Sequence, residues 1–65
     1  MNKYRTRIVY TSFVADLLME WGEEFLHLRQ DLKYPDKNVF VFRNSESFDE
    51  SLEAAIKIQV ESYNN

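Results

Sequence analysis

Asn38-Val39-Phe40-Val41-Phe42-Arg43 is the stretch whose reading decides the fold. Four consecutive apolar residues, alternating Val and Phe, describe a strand covered on both faces, since a half-exposed strand would alternate apolar with polar residues. Pro35-Asp36-Lys37 ahead of it is turn chemistry: Pro presets φ, and Asp and Asn side chains bond their own backbone. Asn44-Ser45-Glu46-Ser47 behind it leads towards a helix. A strand buried on both faces belongs at the centre of a sheet, and the other elements are placed around it.

Upstream, Arg5-Thr6-Arg7-Ile8-Val9-Tyr10-Thr11 reads as a strand rich in β-branched and aromatic residues. Alternation puts Thr6, Ile8 and Tyr10 on one face and Arg5, Arg7 and Val9 on the other. Thr11 or Ser12 then caps a helix expected over residues 13–21. Val14, Leu17, Leu18 and Trp21 recur at i, i+3, i+4 and i+7, a single stripe that favours Trp21 in the core over a role as an interface anchor. Gly22, the only glycine, stands where a left-handed residue would end that helix. Residues 24–30 read as a second strand, with Leu26 and Leu28 on one face and Phe25, His27 and Arg29 on the other. Ser47 and Glu50 have the spacing of a capping box, opening a helix expected from about Phe48 to Ser62. Its apolar stripe is Leu52, Ala55, Ile56, Val60 and Tyr63.

The element order is therefore β-α-β-β-α. The expected fold is α+β and two-layered: a three-stranded sheet in the order 1-3-2 with two helices on one face. The crossover through the first helix is right-handed by the usual rule. This is a ferredoxin-like unit without its last strand, and it leaves the outer edge of strand one unpaired, a template for docking.

Length and composition set the remaining bounds. The chain has 65 residues, enough for one domain. Hydrophobic residues at 45%, against 1 Gly and 1 Pro, exclude a disordered chain. A domain this short buries only about 60% of the surface its unfolded chain exposes, so small domains usually add a staple. With 0 Cys there is no disulfide or thiolate metal site, and 1 His leaves only carboxylates for a metal. Association is the remaining staple, so a homodimer or a bound partner is expected. No signal peptide is expected from Met1-Asn2-Lys3-Tyr4-Arg5, and no apolar run approaches the ~20 residues of a membrane span. The expected location is cytoplasmic, with no membrane partner.

A net charge of −3 hides a sorted distribution. Lys3, Arg5, Arg7, Arg29, Lys33, Lys37 and Arg43 lie on strands or the turn, whereas the carboxylates gather on the helices. The sheet face away from the helices is expected to carry Arg5, Arg7 and Val9 from strand one, Phe25, His27 and Arg29 from strand two, and Val39, Val41 and Arg43 from strand three. Such a face suits a protein interface, with a second copy or an acidic host protein. It also suits single-stranded nucleic acid, where rings stack on bases and Arg meets phosphate, or it is simply a solvated face. Only Phe25 offers a ring, so nucleic acid ranks below protein. Glu46, Asp49, Glu50 and Glu53 crowd the start of helix two, where they meet the helix dipole; a DNA-mimicking face is the alternative.

Nothing specifies a reaction. His27 has no neighbour that would poise it as a general base. Adjacent carboxylates such as Glu23-Glu24 do not face one another on a helix, and one glycine cannot build a phosphate loop. The expectation is a non-enzymatic protein without metal or cofactor.

Several features together resemble a family of very small proteins common in Firmicute bacteriophages and prophages. They are the strand entering a helix at Thr11-Ser12, the Leu17-Leu18 pair with Trp21-Gly22 ending that helix, the Val39–Phe42 strand, and the polar turn into an acidic helix. The resemblance runs from Ile8 to about Ile56 and supplies no catalytic residues. It implies a phage-borne protein in a bacterial cytoplasm that binds and inhibits a host protein.

Overall fold

The computed structural model describes residues 4–63. The elements run β1 (Thr6–Val9), α1 (Ser12–Glu20), β2 (Phe25–Gln30), β3 (Asn38–Arg43) and α2 (Phe48–Tyr63). The sheet order is β1-β3-β2, and β3 is antiparallel to both neighbours. The fold is the α+β arrangement expected from the element order.

The central strand is buried as its composition demands: Val39, Val41 and Phe42 are inaccessible and Phe40 is half-buried. Its two faces do different work. Phe42, with Phe40 against it, joins Val9 of β1, Val14, Ala15 and Leu18 of α1, and Phe48 and Ala55 of α2 in one core. Val39 and Val41 lie outside that cluster, on the face without helices. Ile8 and His27 stand on either side of Val41, and Arg29 is beside Val39.

Helix α1 begins where Thr11, in extended geometry, accepts a hydrogen bond from the Val14 N–H through its hydroxyl at 3.4 Å. It ends in a Schellman motif: Glu23 N–H donates to the Leu18 carbonyl at 2.9 Å, Gly22 N–H donates to the Met19 carbonyl at 3.1 Å, and Gly22 takes φ +94°. That turn carries Trp21 out of the stripe, so it is 42% exposed rather than in the core. Helix α2 has 16 residues against 9 in α1, a difference of about 10 Å at 1.5 Å per residue. Leu52 and Ala55 are in or against the core, while Ile56, Val60 and Tyr63 of the expected stripe are exposed.

The side-chain parity of two strands differs from the expected one. Arg7 is opposite Phe42 and Val9 is opposite Phe40, so both point to the helix side; Val9 is a core residue. Phe25 is also on the helix side, opposite Phe42, its ring centroid 5.7 Å from that of Phe42 and 6.2 Å from that of Phe40. A bulge between Phe25 and His27 then shifts the register, which turns His27 and Arg29 to the face of Val41 and Val39. Arg5 precedes β1 and is exposed, and Lys3 lies outside the described residues.

Candidate functional site

The edge of β1 is built by its ladder with β3. Asn44 N–H donates to the Arg5 carbonyl at 2.9 Å, which makes Arg5 and Asn44 a hydrogen-bonded pair. Such pairs recur every second residue in an antiparallel ladder, so the backbone of Arg7 and Val9 also faces β3. The N–H and C=O of Thr6 and Ile8 then point outward, with no strand beside them among the described residues. Along this edge runs an apolar groove of about 290 Å³. It is lined by Ile8, Val9 and Tyr10, by Thr11 and Val14 at the start of α1, and by Leu52 and Ile56 of α2. Tyr10 is 70% exposed and Ile56 45%.

The helix-free sheet face holds fewer of the expected residues. Val39, Val41 and Arg43 are there with His27 and Arg29, joined by Thr6 and Ile8. Val39 and Val41 are buried between their neighbours and offer little contact area. Arg43 is 3.9 Å from the Glu24 carboxylate. Phe25, the phenyl ring expected on this face, is on the other side. Phe25 and Leu28, 37% and 52% exposed, instead form an apolar shelf beside Phe40 on the helix side of β2.

Arg7 is occupied within the fold. It forms an ion pair with Asp49, approaches Asn44 Oδ1 at 3.5 Å, and lays its guanidinium 4.9 Å from the centre of the Phe48 ring. It fastens β1 to the start of α2 and caps the core with its own stem.

A second polar knot closes the opposite side of that helix start. Glu23 is the only buried charged residue among the described ones, 7% exposed. Ser45 donates its hydroxyl to one carboxylate oxygen, and Ser47 and Ser51 donate to the other at 2.6 and 2.8 Å. Burial pushes the Glu23 pKa up, but the three hydroxyls outweigh it and the net shift is downward. The Ser47 hydroxyl therefore serves Glu23 rather than a capping box with Glu50. The carboxylate at the beginning of α2 brings in negative charge from another element, where the helix dipole favours it.

Among the described residues no group of three or more His, Asp or Glu side chains comes together to hold a metal, and no helix is long and apolar enough to cross a membrane. The surface carries the information instead. Among the described residues, fourteen large hydrophobic side chains are exposed and nine hydrophobic residues are buried. Tyr10, Leu52 and Ile56 escaped the sequence reading as site residues because their spacing also suits a core. The signal available was a helix-two stripe longer than helix one could cover.

No family model, curated protein or solved structure matches this chain.

Proposed function

We propose that this chain is a small non-enzymatic interaction module that binds protein surfaces and associates with itself. The carrying observation is the unpaired outer edge of β1 lying directly beside an apolar groove. Strand addition uses these two components: main-chain hydrogen bonds give affinity, and a neighbouring pocket takes alternate side chains. The resemblance to small phage proteins makes a bacterial cytoplasm the expected setting, and a host protein whose activity is blocked the expected partner beyond a second copy.

Binding of single-stranded nucleic acid is the weaker reading. It needs rings to stack on bases within a basic face, and Phe25 is turned to the helix side. Arg7, one of the expected phosphate contacts, is engaged with Asp49 and Phe48.

Light scattering across a concentration series, at low and high salt, paired with a fluorescent oligonucleotide titration, tests the reading. An apolar module associates with rising concentration, keeps its association in high salt, and leaves the oligonucleotide signal flat. A persistent monomer that binds the oligonucleotide at low salt and releases it steeply as salt rises overturns the proposal in favour of nucleic acid.

A further inference from the structure

The helix layer stops short of β2, and the step it leaves is apolar with an acidic border. We propose that the outer flank of α1 and the helix side of β2 dock a cationic amphipathic helix of a partner protein. This rests on the interaction reading above and uses a surface apart from the β1 edge.

Leu52 and Ile56 of α2 line the groove at β1, so α2 is the helix on that side of the layer. Residues 21–24 are all that join α1 to β2, which keeps the end of α1 next to that strand. Every residue of β2 is nevertheless exposed. On its helix side Phe25 and Leu28 lie open beside half-buried Phe40. The two helices pack on each other, and Ala15 and Ala55, both fully buried, are the small residues that allow a close approach. Phe13 and Leu17 are each about 160° round the helix from Ala15, on the flank turned away from α2. Phe13 is exposed there and Leu17 half-buried. A further helix at the usual ~8–10 Å from α1 would stand over β2, with Phe13, Leu17, Phe25 and Leu28 as its apolar contacts. Helix-in-groove recognition needs such a row.

Charge identifies the occupant. Asp16 and Glu20, one turn apart and both exposed, border that flank on the solvent side. Neither is ion-paired among the described residues, and α1 contains no basic residue. Glu20 is in the last turn, where the helix dipole is already negative and an acid is unfavourable. A Lys or Arg brought beside it would answer both the carboxylate and the dipole. A partner helix with an apolar row and a basic flank meets these demands together: the row covers the shelf, and the cations reach Asp16 and Glu20 with their stems along Phe13. The α2 helix of a second copy does not, because it carries Asp49, Glu50, Glu53 and Glu61 against Lys57 alone.

Trp21, the only tryptophan, follows α1 and is exposed, so its emission reports on binding. The probe is a Leu/Lys peptide of about 14 residues, Leu at helical spacing, in about 0.15 M salt, where charges more than ~8 Å apart are screened. Titration should shift the emission to the blue and saturate; a Leu/Glu peptide of the same pattern should leave it unmoved. Asp16→Lys together with Glu20→Lys should weaken the Leu/Lys peptide at least about tenfold, since like charges then face each other. Leu28→Ser, at an exposed position, should also weaken it while circular dichroism stays unchanged. Glu53→Lys together with Glu61→Lys makes the same change of net charge on α2 and should alter binding less than about threefold. Equal weakening by the two charge reversals, or binding indifferent to Leu28→Ser, overturns the site. Association that rises with protein concentration while the Leu/Lys peptide fails to bind overturns the site and leaves the interaction reading standing. A chain that stays monomeric and binds neither peptide overturns both.

Discussion

Replacing Glu23 with glutamine keeps the shape of the side chain and removes the charge at which three serine hydroxyls are aimed. A hydrogen bond to a charged group contributes about 1.5–3 kcal/mol, and a neutral one about 0.5–1.5. The loss is thus about 1–1.5 kcal/mol per bond before solvent screening. Ser47 is exposed, and Ser45 and Ser51 are partly so, which lets water recover some of it; a net loss of about 2 kcal/mol at neutral pH is expected. Against a total stability of about 3–10 kcal/mol for 65 residues, that is a substantial share. With an unfolding entropy of about 2.1 cal/mol/K per residue it corresponds to a drop in Tm of about 15 °C. The sharper test is pH. Folding lowers the Glu23 pKa, so its stabilisation is full above the unfolded value near 4.5 and is lost as the pH falls through the lower folded value. Glutamine has no such dependence. Thermal melts of the two proteins from neutral pH downward should show a gap that closes in acid, the other carboxylates cancelling in the comparison. A gap of the same size at every pH, or none at neutral pH, would refute the account of Glu23 as a buried charge held by serines.

Gly22→Ala should cost about 1–2 kcal/mol in chemical denaturation, because φ is +94° there and a Cβ is disfavoured in that region although nothing lies within 4 Å of it. Gly22→Asn should cost visibly less. Asp49→Asn should change stability by no more than about 1 kcal/mol, since Asp49 is 73% exposed. Arg7→Ala should cost more than Asp49→Asn because it also uncovers Phe48, and a double-mutant cycle separates the two contributions. Leu18→Ala, at a position with 0% exposure, should cost about 2–5 kcal/mol, read as a lower midpoint in chemical denaturation.

What the amino-acid sequence determined by itself is the kind and order of the elements. Val39-Phe40-Val41-Phe42 has no polar face, so it had to be a central strand, and that single fact sets the order β1-β3-β2. Gly22 marked the end of α1 because only a residue without a Cβ takes φ +94° cheaply. Tertiary structure alone decided which side each edge strand shows. In β1 both parities carry apolar residues, Ile8 and Tyr10 on one and Val9 on the other, so alternation names no inner face; in the structure Val9 is buried, and Arg7 on the same side pairs with Asp49 and lies over Phe48. In β2 one extra residue between Phe25 and His27 reversed the parity midway. Side chains alternate with a period of two, so a shift of one residue moves everything beyond it to the other face, and local composition holds no record of that shift. The groove beside β1 and the exposed end of α2 are decided in the same way, by which lengths of helix the three-dimensional arrangement leaves without a partner.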